Sequence, residues 1–160
     1  MTTKQAVDLT RFIRGLMLGQ LEGLSDDDWC AIPEGLSNNI LWNAGHIAFY
    51  QSAFLLKHFG QPTPVPDSFK DPFKAGSNPK EWTEKPDAAA VIAALKALPD
   101  AIAAADAAGA YASCKEFKLG DRLTMTDPFE IFMFHAMHEG VHNGRIIAIK
   151  KLLADKKARG

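Results

Sequence analysis

The sequence predicts an all-α fold: an antiparallel four-helix bundle with a long connection between its second and third helices. Four segments carry apolar residues at the three- and four-residue spacing of amphipathic helices, and strand signal is weak outside one short segment. Residues 60–86 are rich in proline, which cannot sustain a helix. The length of 160 residues suits a single domain spanning residues 1–160, long enough to bury a core without disulfides.

The first two helices have recognisable boundaries. The first is predicted over residues 4–23, where apolar side chains recur on one face. The second is predicted to follow residues 37–39, whose serine and asparagine side chains can accept hydrogen bonds from first-turn amides, and to end near Phe59. The long loop that follows is expected to line or cover a site, or to serve as a crossover between bundle helices.

The third and fourth helices are separated by a second irregular stretch. The third is predicted to begin near Asp87, and Pro99 is expected to kink or divide it. Residues 111–126 allow a short extended segment, although no sheet is predicted there. The fourth helix has the clearest start, because Asp127 can cap it, and it is expected to run to about residue 154.

Composition and charge exclude several classes of protein. The formal net charge of −1 argues against a protein whose main task is to neutralise nucleic-acid phosphate, although the last ten residues are basic. The sequence has no evident membrane-spanning run or signal peptide, so a cytoplasmic location without a membrane partner is expected. Cys30 and Cys114 lack CxxC spacing, so neither a zinc ribbon nor a disulfide framework is predicted.

The fourth helix carries histidines where a bundle helix is normally apolar. Its inward seam, read in steps of four and three, runs through Ile131, His135, His138, His142 and Arg145. Four residues advance a helix by about 400°, so His138 and His142 point the same way and lie about 6 Å apart along the axis. Two imidazoles at that spacing can bind one metal ion.

The HEGVH sequence also matches the HExxH motif of zinc proteases, but that alternative is disfavoured. In such proteases a third zinc ligand normally follows the helix in the sequence, on a scaffold that contains a sheet. Here few residues follow His142. Glu139 lies about 100° from His138 around the helix, so it is only a candidate for orienting a ligand or contacting substrate. His135 lies one turn before His138 and stays open as a ligand, as a group behind the ligands or as a base.

A third ligand is expected from the second helix. His46 shares a stripe with Trp42 and Phe49, where a lone buried imidazole would leave its polar nitrogens unsatisfied. Coordination satisfies one ring nitrogen, and a hydrogen bond at the other orients the ring. Three neutral histidines leave positions open for water or substrate, as catalytic sites do. A divalent ion is expected, zinc or nickel ahead of iron or manganese, although imidazole ligands alone do not select the metal.

The order and spacing of these motifs resemble the DinB-like superfamily of bacterial four-helix-bundle metalloproteins, which includes YfiT-like hydrolases and thiol-dependent transferases. The resemblance covers nearly the whole chain. It rests on Trp42, His46 and Ile47 in W-x-x-x-H-I, on the loop residues Phe69, Phe73, Gly76 and Trp82, and on His138 and His142 followed by Arg145 and Ile146.

This resemblance implies that His46, His138 and His142 hold a metal and that His135 is not a ligand. Many relatives have a second histidine beside the last ligand and then Arg-Gly-Gln, whereas here Val141 precedes His142 and Asn-Gly-Arg follows it. Family activities include the transfer of low-molecular-weight thiols such as bacillithiol or mycothiol, and a thiol-dependent isomerisation. The resemblance therefore implies a small-molecule substrate, a thiol cosubstrate and a homodimer.

Three functions compete at this point. The first is a metal-dependent thiol S-transferase or related detoxifying enzyme, in which Arg145 attracts an anionic thiol or carboxylate unless it forms a salt bridge within the bundle. The second is a non-catalytic, stress-associated interaction protein whose metal ion ties the second and fourth helices together. The third, a nucleic-acid binder, is supported only by the basic residues after position 149.

Overall fold

Six helices and one small hairpin make up the regular structure of the computed structural model, which describes residues 2–159. The predicted all-α class is therefore confirmed. Short 3-10 turns occupy Lys57–Phe59, Asp67–Phe69, Pro79–Glu81 and Ala110–Ala112. The α-helices are α1 (Thr3–Leu21), α2 (Asp26–Cys30), α3 (Ile40–Leu55), α4 (Lys70–Phe73), α5 (Ala88–Ala107) and α6 (Pro128–Arg159), and the strands are β1 (Phe117–Leu119) and β2 (Leu123–Met125).

The four long helices pack side by side around one apolar core. Helix α3 packs against α5 and α6, and α1 packs against the same two helices. Removal of their apolar faces from water supplies the main driving force for this packing. The fully buried side chains at its centre include Met17, Ile40, Ile47, Leu95, Ile102 and Ile146.

Capping side chains set the starts of the two helices that matter most for the site. The Asn39 side chain accepts a hydrogen bond from the Trp42 amide at 2.7 Å and so caps α3, as predicted. Asp127 caps α6 as predicted, because its side chain accepts from the Phe129 amide, and the Glu130 carboxylate reaches back to accept from the Asp127 amide. Helix α3 ends four residues earlier than expected, and α6 runs five residues further.

Of the two outcomes expected at Pro99, a kink or a division, the division is not observed, because α5 is continuous through this proline. Proline has no amide hydrogen and leaves the carbonyl of Leu95, four residues earlier, without its helical partner. The Arg14 side chain of α1 donates to that carbonyl at 3.0 Å and satisfies it. By length and composition α5 could cross a membrane, but in this structure its Val91 and Leu98 are buried in the core against α1 and α3.

The long loop between α3 and α5 folds back onto α3. It is less irregular than predicted, since it contains α4 and three of the 3-10 turns. The ring of Phe73 at the end of α4 lies against Gly45 so closely that a Cβ atom there would sit 2.4 Å from it. Gly45 therefore allows the loop to reach the α3 backbone directly beside His46.

A β-hairpin occupies the stretch where no sheet was predicted. Strands β1 and β2 pair antiparallel, with Phe117 opposite Met125 and Leu119 opposite Leu123. Gly120 begins the connection with a φ of 55°, a left-handed conformation that glycine adopts without strain. Tertiary packing explains the difference, because Met125 is buried and the Phe117 ring stands edge-on to the Phe54 ring of α3 at 5.0 Å.

Candidate metal centre

The structure brings His46, His138 and His142 together where α3 packs against α6. One ring nitrogen from each histidine lies within 4.8 Å of the corresponding atom of the other two. The Nε2 atoms of His46 and His138 are 3.2 Å apart. Two ligands about 2.05 Å from one ion in tetrahedral geometry would be about 3.4 Å apart, so this pair already has the separation a shared ion requires.

The His46 ring is held by the long loop and by its own helix. Its Nδ1 lies 2.8 Å from the Phe73 carbonyl, which can only accept, so the proton sits on Nδ1 and the Nε2 lone pair is free. The ring stacks on Trp42 with centroids 4.5 Å apart, and Tyr50 flanks it at 4.6 Å. Trp42 is itself fixed, because its indole nitrogen donates to the Ser77 hydroxyl at 2.8 Å.

The His142 ring is oriented by a buried asparagine. Its Nδ1 donates to Asn43 Oδ1 at 2.8 Å, and Asn43 Nδ2 donates to the Asn39 carbonyl at 2.7 Å. Because Asn43 Nδ2 is engaged by the Asn39 carbonyl, Asn43 presents its oxygen to His142. The proton of His142 is therefore on Nδ1, and its Nε2 is free. Hydrogen bonds of this kind, behind the coordinating atom, orient histidine ligands and raise their basicity.

His138 is held differently from the other two. Its Nδ1 is buried and has no hydrogen-bond partner within residues 2–159. The ring is instead parallel to Phe134, with centroids 6.1 Å apart and an interplanar angle of 15°. Packing against Phe134 and the 3.2 Å contact of its Nε2 with His46 therefore fix the direction of this ring.

All three histidines are neutral at physiological pH. Burial lowers the pKa of His46 to about 4 and that of His142 to about 3, and it also lowers the pKa of His138. The positive charge of Arg145 lowers each of these pKa values further. Each neutral ring therefore has one unprotonated nitrogen that can bind a cation, and the donor set fits a divalent ion that accepts imidazole.

Arg145 lies on the exposed side of this centre. It makes no ion pair among the residues that the structure describes, so the salt bridge considered from the sequence is not present there. Together with Asn43 it lines a cavity of about 230 Å³. Asn43 separates this cavity from the His142 ring.

The structure places His135 and Glu139 in the core, away from the three clustered histidines. His135 is 1% exposed, and its ring centroid lies 6.4 Å from that of His138. Its Nδ1 is 3.8 Å from Glu139, and burial holds its pKa well below the ordinary value. The Glu139 carboxylate accepts from Arg14 Nε at 2.9 Å, so the glutamate of the HExxH match pairs with a cation in the core.

Sequence reasoning missed three groups that the structure places around the centre. Arg14 is 2% exposed and lies on the buried side of α1 with Thr10 and Met17. The apolar face that the sequence predicts for this helix includes Phe12 and Leu16, which are exposed, so the sequence pattern gave no signal for Arg14. Asn43 precedes His46 by one helical turn, which places it on the same face of α3. The Phe73 carbonyl carries no sequence signal, because any residue would supply that oxygen.

The free cysteines form no part of this centre. Cys114 Sγ lies 3.7 Å from His58 Nε2, near the start of the hairpin. Burial raises the pKa of the Cys114 thiol, and the nearby carboxylates of Asp127 and Glu130 raise it further. A thiol in this setting is not activated as a nucleophile.

Comparison with known proteins gives one family. The family model described as the DinB superfamily matches residues 9–146, a span that includes all three clustered histidines and Arg145. A search of curated proteins found no match to the chain.

Proposed function

The chain belongs to the DinB superfamily, and on that premise we propose that it is a divalent-metal-dependent enzyme on an antiparallel four-helix bundle, with His46, His138 and His142 as the metal ligands. The reaction we propose is the transfer of a low-molecular-weight thiol to an electrophilic small molecule. The observation that carries the proposal is the convergence of three neutral, oriented imidazole nitrogens from helices that are far apart in sequence.

The number and kind of ligands favour a catalytic site over a purely structural one. Structural zinc sites are normally closed by four protein ligands, whereas catalytic sites have three and leave a position for water or substrate. Within residues 2–159 no aspartate, glutamate or cysteine joins the three histidines. A fourth position would therefore be available to an exogenous ligand.

Thiol transfer is preferred to hydrolysis because of where the carboxylates lie. In an HExxH hydrolase the glutamate acts as the general base at the metal. Here Glu139 pairs with Arg14 in the core and does not reach the centre. A thiol would need no such base, since coordination to an ion held by the three histidines would lower its pKa and leave it as the nucleophilic thiolate.

In the proposed reaction the thiolate sulfur forms a bond to an electrophilic carbon as the bond from that carbon to its leaving group breaks. The thiol proton goes to solvent, and the leaving group departs with the electron pair. The chain's own residues position the reactants. Asn43 and the Phe73 carbonyl keep the ligand nitrogens directed inward, and Arg145 attracts a carboxylate on the thiol or the acceptor.

Metal analysis provides the first test of this proposal. Protein purified without a histidine tag is expected to contain about one divalent ion per chain, and His142→Ala is expected to lose it. His58→Ala is the matched control, because His58 lies beside the hairpin and should leave the metal content unchanged. A metal-free wild-type protein that takes up no zinc, nickel, iron or manganese would contradict the proposal.

A transfer assay tests the reaction itself. Metal-loaded protein is mixed with bacillithiol or mycothiol and a chromogenic alkyl or aryl halide, and release of the halide is followed. We expect the rate to depend on both the thiol and the metal, and to fall in His142→Ala. Normal metal content without thiol-dependent turnover across both thiols would favour the alternative function, an ion that only ties α3 to α6 in an interaction protein.

A further inference from the structure

Three side chains on one stripe of α3 hold the same stretch of the long loop. Trp42, His46 and Tyr50 are spaced four residues apart, so they lie on one side of the helix at successive turns. Their polar atoms bind residues 73–77, a stretch that begins at the last residue of α4 and that we call the strap. The middle residue of the three, His46, is also one of the clustered histidines.

The two outer contacts fasten the strap through residues that are not metal ligands in the proposed function. Trp42 Nε1 donates to the Ser77 hydroxyl at 2.8 Å, and the Ala75 amide donates to the Tyr50 hydroxyl at 3.1 Å. Both aromatic rings also flank the His46 ring, with centroids 4.5 and 4.6 Å away from it. Displacement of the strap would therefore remove a hydrogen bond from each of the two rings that pack against this histidine.

The middle contact connects the strap to the ligand ring itself. The Phe73 carbonyl accepts the proton on His46 Nδ1, so it favours the tautomer whose Nε2 lone pair can bind an ion. A positive charge at Nε2 would in turn make the Nδ1 proton a better donor and strengthen the bond to the strap. The closed strap and a bound ion are therefore expected to stabilise each other.

Most of the strap lies on the surface, where it can open locally. Lys74, Ala75 and Gly76 are exposed, whereas the Phe73 ring at its start is buried. Segments with few buried apolar contacts and exposed backbone hydrogen bonds open at a low cost in free energy. Because the Phe73 carbonyl belongs to the planar peptide group shared with Lys74, movement of residues 74–77 would turn it away from His46.

We propose that the strap is a metal-linked closure: residues 73–77 stay closed on α3 when the three histidines hold an ion and open more often when they do not. The inference rests on the metal ligands of the proposed function and is independent of the thiol chemistry. Loss of a hydrogen bond behind a histidine ligand typically costs about 10- to 100-fold in metal affinity. Because coupling between two sites is reciprocal, an ion should reduce the opening of the strap by the same factor.

Amide hydrogen exchange in the full chain tests the coupling. The Ala75 amide, which donates to the Tyr50 hydroxyl, reports the opening of the strap. Its exchange rate, followed by NMR at one pH, should be about 10- to 100-fold slower in zinc-loaded protein than in metal-free protein. The Gly109 amide, which donates to the Asp106 carbonyl at the end of α5, is the control and should exchange at the same rate in both forms.

The zinc content of the same samples separates failure of this inference from failure of the proposed function. Zinc bound to each chain with unchanged exchange at Ala75 would overturn the coupling and leave the metal site intact. A slowing of the same size at Gly109 would indicate general stabilisation of the fold and would likewise overturn the coupling. A chain that takes up no divalent ion would overturn both proposals.

Removal of two hydroxyl groups tests the coupling in the reverse direction. Tyr50→Phe combined with Ser77→Ala deletes the two outer contacts and changes no proposed ligand. The zinc affinity, measured by competition with a chromogenic chelator, should fall by about 10-fold, because binding must then also close the strap. Ser68→Ala, at an exposed serine of the same long loop, is the matched control and should bind zinc as the wild type does. Wild-type affinity in the double variant would refute the coupling.

Discussion

At the scale of single residues, the centre depends on groups that touch no metal. The free nitrogen of His142 points inward because Asn43 accepts the proton on the other nitrogen, and Asn43 is held in turn by the Asn39 carbonyl. His46 is held in the same way by the Phe73 carbonyl. A ligand whose ring is already oriented loses less conformational entropy when an ion binds.

Replacement of Asn43 should therefore weaken metal binding without removing a ligand. We expect Asn43→Ala to lower the affinity for zinc or nickel by about 10- to 100-fold, as measured by competition with a chromogenic chelator. Asn43→Asp should restore most of the affinity, because a carboxylate accepts the same hydrogen bond. Asn38→Ala, just before the start of the same helix, should bind metal as the wild type does. Equal affinities for all three variants would show that Asn43 does not orient the ligand.

The buried histidines also make the metal-free protein sensitive to acid. In the folded state the pKa of His46 is about 4 and that of His142 about 3, whereas an unfolded histidine titrates near 6.5. Below pH 6.5 the unfolded state therefore binds protons that the folded state does not. The stabilisation is present in full above pH 6.5 and is lost as the pH falls toward these lower values.

Each such histidine should lower the free energy of unfolding by about 1.4 kcal/mol per pH unit between pH 6 and pH 4. Urea denaturation of metal-free protein at several pH values measures this slope. His142→Gln should have a slope smaller by about one histidine's contribution. Identical slopes for the variant and the wild type would mean that His142 titrates normally in the fold.

At the scale of elements, one arginine joins all four long helices. Arg14 of α1 donates to Glu139 of α6, to the Leu95 carbonyl of α5 and to the Gln51 side chain of α3. These contacts pair the buried guanidinium with one oxygen of the buried Glu139 carboxylate and satisfy the carbonyl that Pro99 leaves free. The same pairing keeps Glu139 directed away from the metal centre, although it follows His138 directly in sequence.

Removal of this arginine should destabilise the protein strongly. Arg14→Ala leaves the Glu139 carboxylate buried and unpaired, and we expect a loss of about 3–5 kcal/mol of unfolding free energy in urea denaturation. Arg14→Met combined with Glu139→Met should cost much less, because no charge is then left in the core. Arg11 lies on the same helix as Arg14 and forms an exposed ion pair with Asp100 of α5, and Arg11→Ala should change stability little.

At the scale of the whole molecule, the centre links two helices whose histidines are 92 and 96 residues apart in the sequence. An ion bound only by the folded state stabilises it by an amount that grows with the logarithm of ion concentration. The centre should therefore contribute to the stability of the fold as well as to the proposed chemistry.

Metal removal should lower the melting temperature of the wild type. At a free ion concentration about 1,000 times the dissociation constant, binding adds about 4 kcal/mol, which corresponds to about 8–16 °C in a domain of this size. Calorimetry of chelated and reloaded protein measures the shift. His142→Ala should melt at the same temperature with and without added ion, and a wild type with no shift would show that the ion does not bind the folded state selectively.

The sequence alone determined the features that depend on local geometry. The helical spacing placed His138 and His142 on one side of α6, and the Asp127 and Asn39 caps marked helix starts correctly, because capping and periodicity involve residues within one or two turns. The two connections were less predictable. The α4 turn and the hairpin are short elements whose stability comes from the contacts of Phe73 and Met125 with the rest of the molecule.

Which distant groups meet depends on how the helices pack. The packing of α1, α3, α5 and α6 brings the His46 nitrogen to 3.2 Å from that of His138. It also places Asn43 and a loop carbonyl where they orient the rings. The same packing lets Arg14 bind Glu139 and the Leu95 carbonyl in the core. Sequence periodicity tells which side of a helix is buried, but it does not tell which residue of another helix lies opposite. The relative positions and rotations of the packed helices settle that.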